Sequence, residues 1–320
     1  MATLDLKTLS PNTRFTDMLF IVKEANILKK KNDDLYMNAL LENKTGTIKA
    51  VYWGDITDDV RNTITAGAIA SISGNVTQYL NVNQITIEDY SPVNQAVDTS
   101  ELIKEAPFPA DKMYTMLETQ VNAFKNNDYK VITQAFLDKY RDPFKTHPAA
   151  KHVHHSYKGG LLYHTCSILT LSKAVVAMHG EYIDEELLTA GIIMHDLGKL
   201  TEYTSYMGTE ITLEGHLKGH ISIMSEEIGR VADTLEISDA MNVMKLQHMV
   251  LSHHGLVQNG WGSPVSPKLI EAHILHKLDS LDADMDAYKS AMDQTNLHTF
   301  SNPIFGISKS KFYKHMDTSK

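Results

Sequence analysis

Histidine is where this chain concentrates its chemistry. Sixteen histidines occur among 320 residues, and 13 of them fall between His152 and His276. Imidazole ligates metals and exchanges protons near neutral pH, so this clustering points to a metal or acid/base site in the C-terminal half. His164 shares one helical face with Ile168, Leu171 and Val175 at spacings of four, three and four, which aims it at the core. Leu188, Ile192 and His195 follow the same spacing. Asp196 is adjacent, and Gly198 is the expected end of that helix, where the partial negative charge of a helix C-terminus favours a cation. Asp279 lies one turn after Leu275 in the last apolar helical pattern, and an inward carboxylate is costly unless it is paired or binds metal. His164, His195, Asp196 and Asp279 therefore form a mixed imidazole and carboxylate shell suited to Mn, Fe, Co or Zn, or to Mg if waters complete it. His220 with His253 or His254 could complete a second cation site, and the two oxygens of Asp196 could serve both. The single cysteine, Cys166, excludes an internal disulfide framework and a CxxC metal knuckle.

The elements that must position these residues fall into two halves. With 42% hydrophobic and 22% charged residues, the chain can bury a full core. No apolar run reaches the roughly 18 residues of a membrane span, and the N-terminus lacks a signal pattern, so the expectation is a cytoplasmic protein with no membrane partner. The net charge of -9 excludes a polybasic nucleic-acid binder, and residues 1–110 alone carry 10 Lys and Arg against 14 Asp and Glu.

Residues 15–28, 35–41, 47–53, 68–80 and 84–90 alternate as strands, with a turn at Asn43 to Gly46, a short helix at 55–64 and a bulge expected at Gly74. Five strands with a helix between the third and fourth follow the order of an OB-fold barrel. Beyond a Pro-containing connector the period becomes helical, with helices expected at 111–126, 128–140, 161–178, 185–196, 220–235, 240–254 and 268–292. The fold expected is thus multidomain: an all-β OB-fold barrel over 1–95, a connector over 96–110 and an all-α bundle over 111–320.

The series His164, His195-Asp196, Asp279 resembles the H…HD…D signature of the HD-domain metal-dependent phosphohydrolases, and His195-Asp196-Leu197-Gly198-Lys199 is its most specific piece. Pro148-Ala149-Ala150-Lys151, His154-His155 before Gly159-Gly160, Ser252-His253-His254-Gly255, Gly262-Ser263-Pro264-Val265 and Leu278 to Ala283 extend it. Together with the barrel, the chain resembles the YhaM-type 3'-to-5' exoribonucleases. That resemblance implies an HD core over about 160–285 that degrades single-stranded RNA, with DNA left open as a second substrate, to 5'-nucleoside monophosphates. It implies two divalent ions, Mn foremost with Fe, Co, Zn or Mg as alternatives. His164, His195, Asp196 and Asp279 would hold the first, while His220, His253 and His254 would serve the second or the scissile phosphate. Lys199 could set an ammonium on the phosphate oxygens, or simply satisfy a helix end.

His154 and His155 precede Gly159-Gly160, expected to form a tight loop at the mouth of the site, and are candidate phosphate or ribose contacts. In the barrel, Phe20, Tyr36, Tyr52, Trp53 and Tyr79 are candidate stacking residues, with Lys29-Lys30-Lys31, Lys44 and Lys49 for phosphates. Tyr36 and Trp53 stand out, being out of phase with the apolar series of their strands. His216, His248, His273, His276 and Cys166 read as structural. Two alternatives stay open: an HD phosphohydrolase acting on a small nucleotide with a regulatory barrel, and a non-catalytic nucleic-acid binder. A homo-oligomer is compatible with the sequence.

Overall fold

Alternating apolar residues build the N-terminal half as five strands: β1 (Arg14–Lys29), β2 (Leu35–Asn43), β3 (Gly46–Tyr52), β4 (Ile69–Tyr79) and β5 (Val82–Pro92). Helix α1 (Asp58–Thr63), capped by the Thr57 side chain, lies between β3 and β4. In this computed structural model the strands close in the order β1-β2-β3-β5-β4, with β4 returning to β1. Only the β3–β5 pairing among the described barrel pairs is parallel. This is OB-fold connectivity. Phe20, Leu41, Ile72, Val76 and Ile85 fill the interior. The β2–β3 hairpin turns at Asn43 to Gly46, where Asn43 Oδ1 accepts from the Thr45 N–H at 2.9 Å. Register shifts between Ser73 and Gly74, as the expected bulge requires, and a Cβ at Gly74 would lie 2.3 Å from the Thr86 carbonyl oxygen.

The structure describes all residues except 1–3, 7, 81, 94–101, 151–154, 261, 305–306, 308 and 318–320. Two compact units result: Met1–Glu105 with Ser205–Glu210, and Ala106–Thr204 with Ile211–Lys320. The expected connector over 96–110 lies partly outside the described residues. The second unit is not one continuous stretch, because Ser205–Glu210 groups with the barrel.

The helical unit contains α2 (Ala110–Asn122), α3 (Asn127–Thr146), α4 (Gly160–His179), α5 (Glu185–Met194), α6 (Lys199–Glu202), α7 (Leu213–Thr234), α8 (Ala240–Ser252) and α9 (Ile270–Asp293). Asn126, Asp184, Thr212 and Asp239 cap α3, α5, α7 and α8 by accepting from backbone N–H groups of the first turn. Their apolar faces meet in one core that includes Leu117, Phe136, Leu161, Ile168, Leu188, Ile192, Met224, Leu246 and Leu275. Helix α4 is long and apolar enough by composition to cross a bilayer, yet much of its surface is buried in this core.

Three local expectations change. Helix α3 runs past Tyr140 to Thr146 through a kink, which Pro143 imposes by removing an N–H from the ladder. Helix α7 spans Leu213–Thr234 with a break at Gly219, at φ 68° and ψ 154°, so the segment expected from His220 is preceded by a further helical segment from Leu213 that the periodicity did not show. Gly198 does not end a helix in the left-handed conformation. Its φ is -59°, and glycine is required there because a Cβ would lie 2.2 Å from the His220 carbonyl oxygen.

Candidate metal centre

Five helices deliver their polar side chains to one point. His164 comes from the first turns of α4, His195 and Asp196 from the end of α5, and Asp279 from the middle of α9. His164 Nε2 lies 3.1 Å from Asp279 Oδ1, 3.4 Å from His195 Nε2 and 3.8 Å from Asp196 Oδ2. His195 Nε2 is 3.4 Å from the same Asp196 oxygen. Ligands roughly 2.1 Å from a common ion stand roughly 3 to 3.5 Å from one another, so this spacing suits a cation better than a set of hydrogen bonds.

The other oxygen of Asp196 faces a second group. Asp196 Oδ1 lies 3.5 Å from His220 Nε2, on α7, and 3.6 Å from His253 Nε2, at the end of α8. All three atoms are buried and have no hydrogen-bond partner. Buried polar atoms without partners are rare and costly, and three of them converging from three elements fit an ion. His254 closes this group: one ligand atom each from His220, His253 and His254 falls within 4.8 Å of the others.

Three of these imidazoles are oriented by their far nitrogens. His195 Nδ1 lies 2.8 Å from the Ile192 carbonyl, His253 Nδ1 2.7 Å from the Val250 carbonyl and His220 Nδ1 3.0 Å from Glu202 Oε2. Donation at Nδ1 leaves Nε2 as the coordinating nitrogen. Burial disfavours ionised Asp196, but Lys199 and His195 outweigh it and hold the carboxyl well below its ordinary range. Burial likewise opposes charge on Asp279, and His164 overcomes it. Burial keeps His253 neutral, and burial with the neighbouring His253 and His220 drives His254 down to about 3. Burial pulls His164 down too, yet Asp279 and Asp282 prevail and lift it to about 9. Ionised carboxylates beside neutral imidazoles are the ligand forms a cation needs, and at His164 a proton occupies the place that a cation would compete for.

Residues 161–284 match the family model described as HD domain. The helical region contains an HD domain. HD domains bind divalent metals and are metal-dependent phosphohydrolases. Among solved structures, the chain is similar over 30% of its length to all of the second OB-fold domain of replication protein A from Methanococcus maripaludis, at 20% identity and a TM-score of 0.24. A crystal structure of a replication protein A domain from that organism gives the same identity and coverage with a TM-score of 0.25. A replication protein A heterotrimer bound to ssDNA is similar at 21% identity over 35% of this chain and 29% of that one, with a TM-score of 0.26.

Within the HD domain, Lys199 opens α6 and is buried, its Nζ 2.7 Å from Asp196 Oδ2. A plain helix-end lysine would be solvated; this one balances the shared carboxylate. His154 lies outside the described residues. His155 does not line a solvent-facing mouth as the sequence suggested: it is 4% exposed, with Nδ1 2.8 Å from the Tyr157 hydroxyl and Nε2 2.8 Å from Asp282 Oδ2. The strained turn that buries it shows in its φ of 47° and in Gly160, where a Cβ would lie 1.9 Å from the His155 carbonyl oxygen. Sequence reasoning missed Asp282, Ser167 and Glu202. The first two had a signal, standing three residues after Asp279 and His164 and so on the same helical faces. Glu202 had none, since it reaches His220 across a chain reversal. His276 supports the centre from behind, its Nδ1 3.1 Å from the His253 carbonyl, and Cys166 is buried with its thiol pushed up to about 12.

In the barrel, Tyr36 and Trp53 both lie outside the core, as their phase predicted. Their rings stack at 4.8 Å and 19°, Trp53 is 50% exposed, and Lys30 Nζ sits 5.7 Å from the Trp53 ring centre. Phe20 belongs to the core, and Tyr52 meets Tyr90 edge-on at 5.5 Å. Tyr79 is exposed beside Leu80 at the end of β4.

Proposed function

We propose that the protein is a two-metal 3'-to-5' exoribonuclease that trims single-stranded RNA, and also single-stranded DNA, to 5'-nucleoside monophosphates. One observation carries the reading: a buried carboxylate, Asp196, has one oxygen in each of two ligand groups, with Oδ1, His220 Nε2 and His253 Nε2 left without partners. His164, His195, Asp279 and Asp196 Oδ2 would hold the first cation, and His220, His253, His254 and Asp196 Oδ1 the second. Mn is the expected metal, with Fe, Co, Zn or Mg as alternatives, because imidazole-rich shells favour transition ions over Ca. Cations held by these residues would supply activation of a water and charge stabilisation for an in-line displacement at phosphorus. Lys199 keeps Asp196 ionised and sets an ammonium beside the cluster. Glu202 and the Ile192 and Val250 carbonyls hold the protons of three imidazoles on their outer nitrogens.

The outward Tyr36–Trp53 pair with Lys30 supports a single-stranded substrate, since exposed rings beside a cation stack bases without reading sequence. The test incubates the Mn-loaded protein with 5'-labelled single-stranded RNA and DNA and with a panel of nucleotides. A ladder of shortened strands, abolished by chelator and restored better by Mn than by Ca, is the expected result. Turnover of nucleotides with intact strands would replace this reading with a small-nucleotide phosphohydrolase.

A further inference from the structure

Asp282, three residues beyond Asp279 on α9, collects three side-chain donors. His164 Nδ1 lies 2.7 Å and His155 Nε2 2.8 Å from its Oδ2, and the Ser167 hydroxyl donates to its Oδ1. The carboxylate and both imidazoles are buried. With His164 Nε2 serving as a ligand atom, these contacts admit one arrangement of protons on neutral imidazoles. A carboxylate only accepts, so His164 Nδ1 and His155 Nε2 both carry hydrogen. His155 Nδ1 then accepts from the Tyr157 hydroxyl, and the His155 backbone N–H donates to Asp286 Oδ2 at 2.8 Å, tying the loop to the same helix. With its proton on Nδ1, His164 turns Nε2 toward Asp279 and His195.

We propose that Asp282 is the positioning residue for His164: it locks the ring as the Nδ1–H tautomer and aims Nε2 into the first ligand group, while His155, Tyr157 and Ser167 orient Asp282 in turn. Only the ligand role of His164 is taken from the two-metal reading, and the substrate does not enter. His195 and His253 give their outer protons to backbone carbonyls, whereas His164 gives its own to an ionised carboxylate. A charged acceptor makes the stronger hydrogen bond and raises the basicity of the far nitrogen. His164, like His220 on Glu202, is thereby a stronger imidazole donor than His195 or His253.

Asp282→Asn tests this without changing shape, because its amide group can face Nδ1 and favour the opposite tautomer. Mn(II) binding, followed by the electron paramagnetic resonance signal of the free ion, should weaken roughly 10- to 100-fold at one of two sites. Ser167→Ala, which removes one orienting donor, should weaken it less at the same site. Nitrogen-15 spectra of histidine-labelled, metal-free protein should show a His164 Nδ1–H hydrogen-bonded to a carboxylate in the wild type and the loss of that bonded proton in Asp282→Asn. A folded Asp282→Asn with wild-type Mn affinity and tautomer overturns the proposal. If that variant does not fold, unchanged affinity and tautomer in Ser167→Ala overturn it instead. A wild type that binds no Mn would defeat the two-metal reading, and the tautomer measurement would still decide the role of Asp282.

Discussion

Asp196 is surrounded by His164, His195, His220, His253 and Lys199, so its replacement has two separable effects. Alanine removes the carboxylate shared by both ligand groups. It also strands a buried ammonium, which costs about 3–5 kcal/mol. Asp196→Ala should therefore be inactive and unstable together, whereas Asp196→Ala with Lys199→Met should recover folding and remain inactive by roughly a thousandfold or more. Thermal unfolding, bound Mn and nuclease rate measured on both variants separate these effects; a double variant that keeps metal and activity would remove Asp196 from the centre. Titration makes a second prediction at this scale. His147, His253, His254 and His276 are held below 6.5 chiefly by burial, so the unfolded chain binds more protons than the native one as pH falls beneath 6.5, and stability declines there. His164 acts in the opposite sense. Raised to about 9, it contributes stability that is complete below 6.5 and lost as pH rises toward 9. Urea unfolding of the metal-free protein across pH 5 to 10 should show a maximum near pH 6.5, and a monotonic rise toward alkaline pH would contradict the raised value for His164.

At the level of elements, the centre depends on how closely α6 and α7 approach. A Cβ at Gly198 would sit 2.2 Å from the His220 carbonyl oxygen, so Gly198→Ala must push α7 away and carry His220 from Asp196. A displacement near 1 Å costs on the order of a hundredfold in rate. Gly229→Ala is the control, since it lies within α7 with only a Gln247 side-chain atom at 3.4 Å. Alanine there should be neutral or stabilise by up to about 1 kcal/mol. Activity and melting temperature of the pair give the comparison, and equal behaviour of the two would mean that the α6–α7 approach does not govern the centre.

For the whole molecule, binding and chemistry are expected to reside on different units. Removing the barrel would be a poor test, because Ser205–Glu210 groups with it and would lose its neighbours. Tyr36→Ala with Trp53→Ala leaves the barrel core intact, as neither side chain belongs to it. Stacking contributes about 1–3 kcal/mol per base, so the pair should lose more than tenfold in affinity for long single strands and leave cleavage of dinucleotides unchanged. Salt dependence should be shallow, because residues 1–110 are net acidic. Affinity and rate as functions of strand length are the measurements, and equal loss at both lengths would detach the aromatic pair from binding.

The strands, most helix bounds, the Gly74 bulge, the outward phase of Tyr36 and Trp53 and the inward phase of His164 and Asp279 were legible because each follows from a period of two or of 3.6 residues along the chain. Periodicity says which way a side chain faces and nothing about what it meets. It read Gly198 as a helix end, where tertiary structure requires a glycine for the passage of α7, and it read His155 as a loop residue at a mouth, where a left-handed turn buries it on Asp282. The division of Asp196 between two groups of histidines, and the carboxylates that turn the rings of His164 and His220, join residues up to 118 positions apart. Such contacts form only when α4 to α9 close on one core, so local sequence could name the ligand types while the packing of helices alone decided which atoms meet.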